Sequence, residues 1–271
     1  MTTTPSTTCY RHTDRETGRR CTRCGRPACP DCLREASVGA HCVDCVNAAA
    51  PSAPDRVRRT VRGQNLIATK SIIAVTAVMY LLTSFPSQVR NHWYVDLLLF
   101  GPAVHQGDWW RLFTSALLHE NILHILFNML VLYQVGRVLE PGAGSARFTT
   151  LYVVSVLAGS AGALVFTPHA ATVGASGGVI GVAAAATLVM HRQGVSFWNT
   201  GFGPLIIFVL AEPLWISNVS MGGHLGGVVG GALATEAMLQ ARKANQPWLG
   251  YVGAAFVGLA SILLAFAVAG N

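Results

Sequence analysis

Two residues with catalytic chemistry stand in apolar, glycine-rich surroundings. Ser176 lies in Gly174-Ala175-Ser176-Gly177-Gly178, within a stretch that has no Asp, Glu, Lys or Arg between Arg147 and Arg192. His224 lies in Met221-Gly222-Gly223-His224-Leu225-Gly226-Gly227-Val228-Val229-Gly230-Gly231. A serine hydroxyl becomes a nucleophile when a neighbouring base takes its proton, and imidazole is the commonest such base. Serine among small residues equally suits a tight helix contact, and a buried histidine can simply fix packing. Ionisable groups inside apolar spans are costly, however, and function is the better default for His224.

The glycines supply the means of bringing the two together. Small residues four apart let membrane helices approach closely. His224, Gly227 and Gly231 share one helical face, and packing that face on Ser176, Gly177 and Gly181 would bring hydroxyl and imidazole within hydrogen-bond reach. Acyl transfer also needs donors for a developing oxyanion. The run from His119 to Asn128 places His124 and Asn128 one turn apart on one face, with His119 a turn earlier. The Asn128 amide and the Ser176 backbone N–H are the candidate donors, interhelical hydrogen bonding being the structural alternative for Asn128. No Asp follows Asp108, so no third carboxylate is evident. Glu212, just before Pro213, suits a structural or gating role.

A second chemistry occupies the N-terminus. Cys9/His12, Cys21/Cys24, Cys29/Cys32 and Cys42/Cys45 are pairs with two residues between partners, and all seven cysteines precede residue 46. Eight such ligands fit two tetrahedral zinc ions. Interleaving gives one site from Cys9, His12, Cys29 and Cys32 and another from Cys21, Cys24, Cys42 and Cys45, with His41 a spare candidate. A disulfide framework would need an oxidising compartment and leave an odd cysteine. The ligand spacing over residues 9–45 resembles a B-box-like, cross-braced zinc finger. Filled metal sites have no place for an activated water, so this region reads as structural, with a cytoplasmic protein as a possible partner.

Composition sets the frame for both. Of 271 residues, 52% are hydrophobic and 11% charged, far below the roughly one-quarter charge of soluble domains. This is the composition of a polytopic membrane protein. The net charge of +7 does not indicate nucleic acid, because the basic residues cluster at 11–34 and 56–70, flanking the first apolar segment. No apolar stretch precedes Leu66, so no signal peptide is expected. Seven apolar segments follow at 66–85, 112–134, 148–167, 176–191, 204–217, 222–240 and 249–269. The basic linker, Arg137, Arg147, Arg192, Arg242 and Lys243 fall on one side, and Arg90 and Arg111 on the other. The positive-inside rule then places the N-terminal module in the cytoplasm and the C-terminus outside, with Ser176 and His224 near the outer ends of their helices. Aromatic and apolar residues from Trp93 to Trp110 suit the outer lipid interface.

In order and combination, these motifs resemble the rhomboid family of intramembrane serine proteases over about residues 66–240. They comprise Trp110-Arg111, the His119/His124/Asn128 set, Glu140 with Arg147-Phe148 and Tyr152, Gly174-Ala175-Ser176-Gly177, and His224-x-x-Gly227-x-x-x-Gly231. The resemblance implies Ser176 as nucleophile and His224 as general base. It implies oxyanion stabilisation by Asn128, His124 and the Ser176 amide, no cofactor in catalysis, and transmembrane substrates cut near the outer surface. The expected organisation is a zinc-binding domain (1–47), a basic linker (48–65), a six-helix core (66–240) and an additional transmembrane helix (241–271), in an integral protein of the plasma membrane. The alternatives are a catalytically inactive relative that binds transmembrane clients and, more distantly, a small-solute transporter.

Overall fold

The computed structural model describes residues 7–36, 38–49, 66–84, 93–196, 207, 209, 211 and 219–270. The chain divides into two compact units, Met1–Arg56 and Val57–Asn271.

In the first unit, strand β1 (Thr7–Thr8) pairs antiparallel with β2 (Glu16–Thr17). A single 3₁₀ turn at Pro30–Cys32 leads into β3 (Leu33–Glu35), which pairs with β4 (Ala40–Cys42), and helix α1 (Val43–Ala49) follows. The buried cluster is Cys9, Cys21, Cys29, Cys32 and Cys42 with Ala28, Leu33 and Ala40. Such a small apolar core needs a staple to hold a fold of this size.

The second unit is helical. Its main elements are α2 (Ile67–Ser84), the short α3 (Gly101–His105) and α4 (Arg111–Thr114), then α5 (Ile122–Ala143), α6 (Ser145–Phe166), α7 (Ser176–Arg192), α8 (Met221–Lys243) and α9 (Pro247–Val268). Among the described residues, α2, α5, α6 and α9 are long and apolar enough to cross a membrane. The protein is an integral membrane protein. Between α7 and α8 the described residues Ile207, Val209 and Ala211 are helical; the rest of the expected fifth segment, Glu212 and Pro213 included, lies outside the described residues.

The second expected segment, 112–134, is corrected. Residues 111–117 form α4 and a 3₁₀ turn, Leu118 is extended, and the long helix begins only at Ile122. Asn121 starts it, its side chain accepting the His124 N–H at 3.0 Å. It ends at Ala143, nine residues past the expected limit, and Gly144, at φ 85°, turns the chain directly into α6.

Helix α6 is the central element, two-thirds buried, with α7, α8 and α9 packed on it. Helix α8 uses two glycine faces. A Cβ at Gly226 would stand 2.2 Å from the Ala158 carbonyl of α6, while one at Gly227 would stand 2.1 Å from the Gly177 carbonyl of α7 and one at Gly231 2.3 Å from that of Gly181. Backbones in such contact leave no room for any larger residue.

Helix α2 is tied down by a buried carboxylate. Glu140 accepts from the N–H groups of Ala68 and Thr69 (both 2.9 Å), from Thr69 Oγ1 (2.5 Å) and from Ser145 Oγ (2.7 Å). A negative group thus sits on the orphan donors of a helix N-terminus.

Candidate active site and metal centres

Ser176 is the first residue of α7, and the chain reaches it by an unusual approach. The Gly174 N–H donates to the Ser115 carbonyl at 3.0 Å, and Gly174 adopts φ 126°, which side chains rarely tolerate. A Cβ there would lie 2.7 Å from His124 Nε2 and 3.8 Å from Ser176 Oγ, so imidazole and hydroxyl converge on one side of Gly174. The Ser176, Gly177 and Gly178 N–H groups open α7, where a helix has no acceptors of its own for them and its dipole favours negative charge.

His124, Asn128 and His224 are fully buried, and Ser176 is 5% exposed. The His124 ring packs edge-on against His119, with centroids 4.8 Å apart, and His119 Nε2 accepts a long bond from the Ala175 N–H at 3.5 Å. Among the described residues neither ring nitrogen of His124 has a hydrogen-bond partner, nor does Asn128 Oδ1. Asn128 Nδ2 donates one hydrogen to the His124 carbonyl at 2.9 Å and has a second to give. His224 is one turn before Gly227, whose backbone abuts Gly177, the neighbour of Ser176.

Ser176 borders a cavity of about 30 Å³, room for roughly two water molecules. Gly174 and Gly177 of the α7 start, Gly159 and Ser160 of α6, Thr172, and Gly223 of α8 are also at its wall.

Trp110 and Arg111 lie outside this cluster and organise the segment before it. The Arg111 guanidinium donates to the carbonyls of Val95 (2.6 Å) and Leu98 (2.9 Å) and to the Asp108 carboxylate (2.9 Å). Trp110 Nε1 donates to the Asp96 carbonyl at 3.2 Å. Trp93, Trp109, Trp110 and Phe113 are exposed around this anchored loop. Two features had no sequence signal strong enough to find them. Leu99 and Thr172 form an antiparallel bridge with both bonds at 3.0 Å, and Ser160 Oγ donates to the Leu112 carbonyl at 2.7 Å.

In the N-terminal unit the expected ligands fall into the two interleaved groups, Cys9/His12/Cys29/Cys32 and Cys21/Cys24/Cys42/Cys45, with donor atoms of each group within 4.8 Å of one another. The cysteines are free thiols. Separations of 3.9, 3.4 and 3.4 Å run from His12 Nδ1 to the sulfurs of Cys9, Cys29 and Cys32, and Cys24 and Cys42 sulfurs are 3.7 Å apart. A tetrahedron with metal–sulfur and metal–nitrogen bonds of zinc length has edges of about 3.6–3.8 Å, so the donors fit a metal ion. Against burial, which raises them, surrounding backbone N–H groups pull the Cys9 and Cys21 thiols down to about 6; the Cys42 N–H donates to Cys21 Sγ at 3.1 Å. His41 stands on β4, outside both groups.

The class so defined is a polytopic membrane protein with a serine and several histidines buried where its helices cross, preceded by a unit able to hold metal. The Rhomboid domain profile matches residues 106–242, half of the chain. The chain belongs to the rhomboid family. It is 34% identical over 177 residues to Rhomboid protease GluP of Bacillus subtilis (strain 168), covering 63% of this chain and 34% of that protein. YdcA of the same bacterium is 32% identical over 181 residues, covering 64% of this chain and 88% of that protein. Rhomboid protease GlpG of Enterobacter sp. (strain 638) is 32% identical over 157 residues, 53% of this chain and 54% of that protein. The chain thus spans about a third of the length of GluP.

Proposed function

We propose that this protein is an intramembrane serine endopeptidase that cleaves transmembrane segments of other proteins. Ser176 Oγ attacks the scissile carbonyl while His224 takes its proton. The oxyanion is held by the Ser176 N–H, the free N–H of Asn128 and the His124 ring. His224 then returns the proton to the leaving amine, and a water entering beside Ser176 hydrolyses the acyl-enzyme. The reading is carried by one observation: the hydroxyl of Ser176 and the imidazole of His124 both face Gly174, at a helix N-terminus bordering a small cavity with room for water. The named proteases among the relatives support it.

The residue roles extend to positioning. Gly177, Gly227 and Gly231 bring α7 and α8 into backbone contact, Gly174 and His119 shape the approach to Ser176, and Trp110 with Arg111 anchor the loop before α5. The orientation we infer puts the N-terminus in the cytoplasm and the cleavage site near the outer face of the plasma membrane, from the distribution of Lys and Arg. The domain limits follow as residues 1–47, 48–65, 66–240 and 241–271. In the N-terminal unit Cys9, His12, Cys29 and Cys32 would hold one structural zinc ion and Cys21, Cys24, Cys42 and Cys45 a second, and the unit would offer a surface to a cytoplasmic protein.

Purified protein in lipid should cleave a model transmembrane substrate, and Ser176→Ala and His224→Ala should each abolish cleavage with the fold intact. Full cleavage by either variant overturns the dyad. Well-folded, inactive wild-type protein that still binds the substrate indicates a client-binding relative instead.

A further inference from the structure

The helix appended after residue 246 reaches back to the approach to Ser176. Gly101 opens the short helix α3, and its N–H donates to the Pro168 carbonyl at 2.9 Å. A Cβ at Gly101 would stand 2.5 Å from that oxygen and 3.0 Å from the carbonyl oxygen of Ala269, at the end of α9. Three segments therefore meet at one glycine: the start of α3, the loop after α6, and the last residues of α9. A Cβ at Gly270 would in turn stand 2.7 Å from His105 Nδ1, at the other end of α3.

The same region has its own apolar core, separate from the one at the centre of the bundle. Leu99, Val104 and Leu112 are packed there with Leu164 of α6 and with Ala265 and Ala269 of α9. Two residues before Gly101, Leu99 pairs with Thr172, and the segment from Thr172 continues through Val173 and Gly174 to Ser176. Thr172, Val173 and Gly174 all border the cavity beside the Ser176 hydroxyl.

We propose that α9 is a positioning element of the active site. Its C-terminal end clamps Gly101 against Pro168 and, through the Leu99–Thr172 bridge, fixes the loop 167–175 that presents Ser176. Gly101 is the positioning residue at the clamp, because any side chain there must displace a backbone carbonyl of one partner or the other. The catalytic half of this inference rests on the protease reading above; the mechanical half does not.

The test compares four full preparations in lipid: the unaltered chain, Gly101→Ala, Phe256→Ala on the exposed face of α9 as a control, and a chain ending at Gln246. Two quantities are measured, the hydrogen-exchange rates of the Leu99 and Thr172 amides and the kcat and KM for a model transmembrane substrate. Gly101→Ala and the shortened chain should exchange both amides about tenfold faster or more, with protection in α5 and α6 retained, and should lose kcat about tenfold or more at unchanged KM. Phe256→Ala should match the unaltered chain. If the shortened chain does not fold, Gly101→Ala decides the matter, since it keeps every helix. Unchanged exchange at Leu99 and Thr172 overturns the clamp, and faster exchange with undiminished kcat overturns its bearing on the site. An unaltered chain that cleaves nothing refutes the protease reading, while the exchange rates still judge the clamp.

Discussion

The contact between Gly227 and Gly177 makes a quantitative prediction. In Gly227→Ala the new Cβ would lie 2.1 Å from the Gly177 carbonyl oxygen and 2.8 Å from its carbon. Cβ atoms essentially never come within 3.0 Å of such atoms, so α7 and α8 must separate locally by about 1 Å. Alanine contributes about 1 kcal/mol of helix propensity over glycine, against about 1–3 kcal/mol for overpacking. The net loss of stability is therefore about 0–2 kcal/mol. Displacing His224 from Ser176 by that separation should cost about 10²-fold in kcat, equivalent to roughly 2.7 kcal/mol. Activity falls further than stability. The assay is cleavage of a fluorogenic transmembrane substrate in proteoliposomes, with melting followed in parallel. Wild-type kcat in folded Gly227→Ala would refute the argument that this backbone contact sets the distance between hydroxyl and imidazole.

Two further outcomes are expected. Glu140→Gln keeps the shape but turns a carboxylate that caps α2 into an amide that must face donors with donors. It should lose about 3 kcal/mol of stability, read as a lowered melting temperature, and an unchanged melting point would contradict the capping role. In the N-terminal unit, elemental analysis should find two zinc ions per chain and Cys21→Ser should reduce this to one; a chain with no bound zinc and eight free ligands would contradict the metal centres.

The sequence made some of this legible and hid the rest for physical reasons. The four Cys/His pairs were legible because a two-residue spacer lets both partners aim at one ion; which pairs join is set by the fold, and the structure has the interleaved arrangement, first pair with third and second with fourth. The glycines after His224 likewise announced a close helix contact. Only one of the two glycine faces was foreseen, because Gly222, Gly226 and Gly230 serve α6 rather than α7. The second span was misplaced because Leu112 and Phe113 are as apolar as a span and hydropathy does not register the 3₁₀ turn or the Asn121 cap that separate them from α5. Gly101 before Pro102 reads as an ordinary turn; its significance comes from two carbonyls distant in sequence, Pro168 and Ala269, and no local pattern encodes that.

Ser176 is the proposed nucleophile. The most direct measurement treats folded protein in lipid with a fluorophosphonate and maps the adduct by peptide mass spectrometry. A single covalent adduct is expected on Ser176, absent in Ser176→Ala and strongly slowed in His224→Ala. Failure to modify Ser176 in folded protein, or equal labelling of the His224→Ala variant, would contradict it.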